Sequence, residues 1–188
     1  MIEKIKKSCP VLAIHYRESS NQTSITNGQT ASSNNSTGSS GAAYVFLRTG
    51  TTWNQQAYLK APNAETSDDF GLSVAISGNT IVIGAESEDS NQTTVTNGTT
   101  ASADNSISAA GSAYIFTRNG SNWTHQGQIK SPNPDVNDHL GWAVGIAEVT
   151  IIVGAERESS NQATITNGAT ASSDNSSLNA GAAYIFKL

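Results

Sequence analysis

Short apolar runs separated by turn residues follow one another along most of this chain. Leu72, Val74 and Ile76 alternate with small or polar residues, and after a turn at 77–79 the run IVI at 81–83 is apolar at every position. Alternation with a period of two is typical of a strand with one buried face, and a short continuous run fits an inner strand covered on both faces. No segment shows a helical period, so the pattern predicts an all-β fold.

Two further strands are predicted in the same unit. The run AYVF at 43–46 is aromatic and β-branched, as strands often are, and it is followed by a turn at Thr49-Gly50. The next run alternates, which predicts that Trp53 and Leu59 share an apolar face opposite a polar one. A nearly polar second face is expected of an outer, half-solvated strand.

The unit recurs every 70 residues. GAAYVF at 41–46 returns as GSAYIF at 111–116 and as GAAYIF at 181–186, while Trp53 and Trp123 keep the same step. Four strands fill one full period, so the chain is predicted to hold strands two to four of a first copy, one to four of a second and one to three of a third. The repeat is therefore expected to be the folding unit.

Polar segments at 17–40, 87–110 and 157–180 join the second and third strands of each copy. Their composition suggests a flexible linker, but each has a β-branched residue two positions before an Asn-Gly pair: Ile25, Val95 and Ile165. Such pairs favour tight turns. An ordered loop is therefore predicted in preference to a free tether.

Composition and charge exclude several classes of protein. Of the 188 residues 13% are charged and the net charge is −5, which argues against nucleic acid as a partner, because binding phosphates needs clustered Lys and Arg. Cys9 is the only cysteine, which excludes a disulfide framework. No apolar run is long enough to span a membrane. The basic start is followed by an apolar stretch too short for a secretion signal, so no working signal peptide is predicted.

The stretches FGLSVAISGNTIVIGA, GAAYVF and TTWNQQAYLKAPN resemble the FG-GAP repeat family. That repeat builds the β-propeller of integrin α-subunits and occurs in many secreted bacterial proteins, and the bacterial long-loop variety is the most similar. The resemblance implies blades of four antiparallel strands, about two and a half of them, in an incomplete ring. It also implies an extracellular or cell-surface parent protein. Residues 1–10 match no copy; the repeats are predicted as a partial copy at 11–70, a full copy at 71–140 and a partial copy at 141–188.

Two departures from the family pattern concern metal binding. Glu86 and Glu156 replace the Pro of the Gly-Ala-Pro end, and the Asp-rich calcium loop of many members is absent. No cofactor other than calcium is predicted. Ca²⁺ takes about 6–8 oxygen ligands, so the acidic side chains are the residues that would have to supply them. The alternative is that the acidic residues are solvated loop side chains. The weak calcium candidates are Glu86, Glu88, Asp89, Asp104, Glu156, Glu158 and Asp174.

No catalytic constellation is evident. His15, His125 and His139 stand where other copies have Ala, Gln and Asp, which suggests drift at the surface. No nucleophile elbow, phosphate loop or zinc-protease motif occurs. The tryptophans Trp53, Trp123 and Trp142 are predicted to be core anchors and not sugar platforms.

Three hypotheses for function follow. The first is a non-enzymatic binding or adhesion module that contacts a protein or glycan through its polar loops. The second is a structural segment of a longer propeller without a ligand of its own. The third is a calcium-stabilised or lectin-like propeller. Further blades or self-association are expected as partners, because unclosed blades expose strand edges.

Overall fold

The computed structural model describes the backbone of residues 11–15 and all of residues 18–188. The strands of these residues are β1 (Val11–His15), β2 (Thr26–Asn27), β3 (Ala42–Thr49), β4 (Thr52–Leu59), β5 (Val74–Ser77), β6 (Thr80–Ala85), β7 (Thr96–Asn97), β8 (Ser112–Asn119), β9 (Asn122–Ile129), β10 (Leu140–Ala147), β11 (Thr150–Ala155) and β12 (Ala182–Lys187). This part of the chain has no helix, and hence none that could cross a membrane.

The strands form three antiparallel sheets, which we call the first, second and third blades. Their strand orders are β1-β3-β4-β2, β5-β6-β8-β9-β7 and β10-β11-β12. Apart from the two-residue strands β2 and β7, these are strands two to four, one to four and one to three of the repeat. Across the described residues no strand of the first blade pairs with one of the third. The predicted all-β fold of partial propeller blades is confirmed.

A β-bulge in the last long strand of the first two blades reverses the direction of its side chains. Val45 pairs with Ala57 but Phe46 pairs with Gln55, so Gln56 is an extra residue, and the same shift occurs between Ile115 and Phe116 in the second blade. Because side chains alternate along a strand, one extra residue sends everything before it to the other face. Trp53 therefore lies opposite Leu59, and the prediction that the two share a face is wrong.

Two hydrophobic clusters lie between adjacent blades. The cluster between the first and second blades takes Val45 and Leu59 from one side and Phe116 and Trp123 from the other. The cluster between the second and third blades includes Val82, Ala113, Ile115, Ile129, Leu140, Ile151 and Val153. The inner strand β6 contributes to both, since Ile81 and Ile83 belong to the first cluster and Val82 to the second. This confirms that the continuous apolar run is buried on both faces.

The predicted core role of the tryptophans is confirmed only for Trp123. Its side chain is 1% exposed, whereas Trp53 is 47% and Trp142 is 44% exposed. The bulge turns Trp123 toward the first blade, but it turns Trp53 toward a side that no described blade covers. Trp142 lies where the register of β10 shifts, between Leu140 and Ala143, and its side chain is directed outward.

The long polar loops are ordered, as predicted. Thr26 pairs with Tyr58 of β4, and Thr96 pairs with Gln128 of β9, so each loop adds a short strand to the edge of its own blade. The ends of the first loop are joined by a hydrogen bond from Gly41 N to Glu18 O of 2.8 Å. The third loop has no fourth strand beside it among the described residues, and its Ile165 is 91% exposed.

Candidate functional site

Two glutamates and a histidine, which are potential metal ligands, meet where the second and third blades approach each other. Glu86 follows the end of β6, Glu156 follows the end of β11, and His139 directly precedes β10. The backbones come very close here, since a Cβ built on Gly84 would lie 2.0 Å from the carbonyl oxygen of Gly141. Only glycine permits such an approach of the two backbones. The approach places Glu86 beside His139.

The three side chains form a compact group, which we call the Glu-His-Glu cluster. His139 Nδ1 contacts Glu86 Oε2, and one ligand atom from each of Glu86, His139 and Glu156 lies within 4.8 Å of the others. The side chains of His139 and Glu86 are only 13% and 12% exposed. Glu156 is 28% exposed and also pairs with Arg157 Nε at 3.2 Å. An imidazole and two carboxylates held together in this way are potential ligands of a divalent cation.

The sequence indicated this cluster only in part. Glu86 and Glu156 were calcium candidates, but His139 was interpreted as surface drift, and that interpretation is wrong because its ring is largely shielded and in contact with Glu86. The sequence did contain one signal for the cluster, which is a set of substitutions at matching positions of the repeat. A His replaces Asp69 one period later, while Glu replaces the family's Pro in both neighbouring copies.

Two other candidates, Glu88 and Glu158, are each 1% exposed. Glu88 Oε2 lies 3.0 Å from Lys130 Nζ, which also donates to Gly111 O at 2.5 Å. Burial lowers the pKa of Lys130, and the negative charge of Glu88 partly opposes this. Glu158 accepts instead from Asn133 Nδ2 at 2.8 Å and Ser160 Oγ at 2.9 Å. These contacts account for both carboxylates as internal hydrogen-bond acceptors.

The remaining candidates lie in the loops. Asp89 Oδ1 accepts from Ala109 N at 2.7 Å, and Asp104 and Asp174 accept from the backbone N of Ser106 and Ser176, each at 2.9 Å. Hydrogen bonds from these serines lower the pKa of Asp104 and of Asp174. The structure does not bring these three carboxylates into the Glu-His-Glu cluster.

His125 is buried, which corrects its interpretation as surface drift. Its side chain lies among Tyr114 and Phe116, with ring centroids 5.9 and 5.3 Å away, and the residue is 4% exposed. Burial lowers its pKa, so the neutral imidazole is favoured. His125 lies two residues after Trp123 on the same side of the bulge, so both side chains take the face that packs toward the first blade. The side chain of His15 lies outside the described residues.

A groove of about 390 Å³ lies between the first blade and the turn that joins β8 to β9. Most of its lining consists of carboxamides, and no charged side chain takes part; the residues are Asn27, Gly28, Gln29, Leu47, Asn54, Gln55, Gln56, Ser121 and Asn122. Asn27 Oδ1 accepts from Trp123 N at 2.8 Å, and Gln56 Oε1 accepts from Trp123 Nε1 at 3.0 Å. The buried Trp123 thus fixes two of the groove's amides. The sequence pattern indicated no ligand-binding residues and did not reveal this groove, because the groove joins parts of two copies.

The family model described as FG-GAP repeat matches residues 53–116 and 123–186, which together make up more than half of the chain. The chain belongs to the FG-GAP repeat family. The two matches begin at Trp53 and Trp123, one period apart, so they follow the repeat found in the sequence. A search of curated proteins finds no match. Together with the three antiparallel sheets, the family identifies a β-propeller-like repeat module.

Proposed function

We propose that this FG-GAP chain is a non-enzymatic binding module of a secreted or cell-surface protein. Its ligand is a neutral, hydroxyl-rich molecule of the glycan class, bound in the groove between the first and second blades. The observation that carries the proposal is the lining of that groove by amide side chains without a charged group.

Carboxamides suit such a ligand because each offers both donors and acceptors. Gln29 and Asn54 are exposed in the groove, where a sugar hydroxyl can exchange hydrogen bonds with them. An ionic ligand finds no counter-charge among the lining residues, and Leu47 supplies apolar surface for a sugar ring. Trp123 holds Asn27 and Gln56 in place before any ligand arrives, which reduces the entropy cost of binding.

The loop framework supports a binding role as well. Asn27, Gly28 and Gln29 belong to the first polar loop, which is pinned to β4 through Thr26 and Asn27. Binding residues are commonly carried by loops on a rigid scaffold. A non-enzymatic role agrees with the surroundings of His125, which is packed against aromatic rings and is 4% exposed.

A second candidate is a structural segment that works only within a larger propeller. Apolar side chains on the outer faces of the first and third blades favour it, since Trp53, Ile152 and Ile185 are 47%, 46% and 69% exposed. Such surfaces are suited to further blades or to another copy of the chain. In this case the groove would have no ligand.

Titration calorimetry of the full chain against a panel of neutral oligosaccharides tests the first candidate. For a saccharide that binds, Gln29→Ala and Asn54→Ala should each weaken the affinity by about 3- to 10-fold, which corresponds to the net free energy of one lost hydrogen bond. The matched control is Thr124→Ala, which changes the position of Asn54 one period later, outside the groove.

Unchanged affinity in both groove variants would contradict the assignment of the groove. If no saccharide binds but a protein ligand is lost with Asn54→Ala, the adhesion partner is a protein. If neither class binds, the structural candidate is correct.

A further inference from the structure

We infer that Glu86, His139 and Glu156 form a binding site for a divalent transition-metal ion of the Zn²⁺ type, which joins the second blade to the third. The inference is independent of the proposed function. It rests on the donor set, on the rigid backbone that presents it, and on the electrostatics of the cluster.

The donor set selects the class of metal. Ca²⁺ prefers about 6–8 oxygen ligands, whereas an imidazole nitrogen suits Zn²⁺ and neighbouring transition metals. Zn²⁺ bonds of about 2.0–2.2 Å place ligand atoms roughly 3–4 Å from one another. The three ligand atoms already lie within 4.8 Å of each other, so small side-chain rotations are sufficient. Three protein ligands leave a fourth position for water.

The backbone holds the ligands in place. His139 has a φ of 57°, its N–H donates to Ala109 O at 3.1 Å, and its carbonyl accepts from Trp142 N at 3.1 Å. A Cβ on Gly111 would lie 2.8 Å from the carbonyl carbon of His139, so this part of the second blade presses directly on the residue. Ligands on such fixed elements lose little freedom when a metal binds.

Charge repulsion within the cluster favours a cation. Glu86 and Glu156 bring two carboxylates together in a partly shielded place, where like charges are costly. Arg157 offsets Glu156 from the exposed side. A divalent ion neutralises both carboxylates and leaves the imidazole as a neutral ligand.

The neighbouring copy provides an internal control. One period earlier the three positions are occupied by Tyr16, Asp69 and Glu86, a set without imidazole and with a phenol in place of one carboxylate. Asp69 shares the left-handed backbone of His139, with a φ of 54°. His139→Asp is therefore a variant whose backbone conformation the fold already accommodates.

The test is titration calorimetry of the chelator-treated full chain with ZnCl2, in a Cys9→Ser background so that the thiol does not contribute. We expect one saturable site, and at a hundredfold excess over Kd a rise in Tm of about 5–10 °C. CaCl2 at the same concentration should give no comparable shift. His139→Asp and Glu156→Gln should each weaken Zn²⁺ binding by at least about 10-fold. The matched control is Asp104→Asn with Asp174→Asn, which removes loop carboxylates outside the cluster and should leave binding unchanged.

Co²⁺ as a spectroscopic probe guards against a variant that merely fails to fold. The folded parent should give visible absorption bands of a low-coordinate nitrogen and oxygen site, and Glu156→Gln, a partly exposed isosteric change, should abolish them without altering the circular dichroism spectrum. The inference is overturned if the parent shows no saturable Zn²⁺ binding. It is equally overturned if His139→Asp and Glu156→Gln bind Zn²⁺ as the parent does.

Discussion

The second and third blades have nearly the same sequence pattern but differ in burial. Val82 and Ile115 in the second blade are 0% and 6% exposed, whereas their counterparts Ile152 and Ile185 in the third are 46% and 69% exposed. The second blade has a described neighbour on each side and the third has one on a single side. The pattern therefore encodes the strand and its faces, while the neighbouring blade determines whether a face is buried.

The two related tryptophans repeat this contrast. Both indoles lie beside an arginine guanidinium, Arg48 at 5.7 Å for Trp53 and Arg118 at 5.5 Å for Trp123. Trp123 is also covered by the first blade and bonded to Asn27 and Gln56, whereas Trp53 is 47% exposed. Identical residues at identical repeat positions therefore contribute different amounts to the free energy of unfolding.

The largest effect is expected from truncating the covered tryptophan. Trp123→Ala removes a fully buried indole and should lower the free energy of unfolding by about 3–5 kcal/mol. Trp53→Ala removes a half-exposed ring and should cost less than about 1 kcal/mol. Urea denaturation followed by circular dichroism measures both, and equal losses would mean that the first blade does not cover Trp123 in solution.

A smaller effect is expected at the buried ion pair of the second blade. Glu88→Gln leaves the buried ammonium of Lys130 without its counter-charge and should cost about 3 kcal/mol. Among the described residues Glu158 forms no ion pair, so Glu158→Gln should cost less than about 1 kcal/mol. The double variant Glu88→Gln with Lys130→Met should recover part of the loss. A Glu158 variant as damaging as the Glu88 variant would show that hydrogen bonding and not charge decides.

The smallest effect concerns the pH dependence that His125 adds to the second blade. Because its folded-state pKa is lowered, the unfolded chain takes up the proton first as the pH falls below about 6.5, and stability is lost from there downward. His125→Gln, which installs the residue found at Gln55, should remove this loss, on the order of 1 kcal/mol at pH 5.

Two aspartates change the free energy of unfolding with pH in the opposite direction, so the parent chain must be compared with His125→Gln. Burial raises the pKa of Asp68 to about 7 and that of Asp138 to about 6, so their contribution to stability falls as the pH rises from about 4 through those values. Both proteins contain the aspartates, so the contribution of the aspartates cancels in the difference between their free energies of unfolding at one pH. A difference that stays the same from pH 5 to 7.5 would contradict a neutral buried His125.

Much of the fold could be predicted from the sequence. Side-chain alternation located the strands, the 70-residue step located the copies, and the Asn-Gly turns beside Ile25 and Val95 indicated ordered loops. What failed was the face of Trp53, the core role of Trp53 and Trp142, and the surface position of His125 and His139. The face of Trp53 was missed because of the bulge at Gln56, which pairing with the adjacent strand creates and a run of alternating letters does not show. The burial of His125 was missed for another reason, because it was interpreted as an isolated substitution although alternation places it on the face of Trp123.

The candidate sites were less accessible to prediction than the fold. Sequence marked Glu86 and Glu156 as acidic and His139 as an isolated substitution, and nothing in their spacing of 53 and 17 residues implied contact. The glycine approach between β6 and the start of β10 brings them together. The amide groove likewise needs a loop of one copy and a turn of the next.

The sequence by itself determined which residues form strands, how often the unit repeats and to which family it belongs, because those properties depend on local periodicity and on residue types at fixed offsets. The tertiary structure alone decided which faces are covered, where Trp123 and Trp53 diverge, and that two glutamates meet a histidine. Those outcomes depend on contacts between blades, which are set by bulges, close glycine packing and the presence of a neighbour.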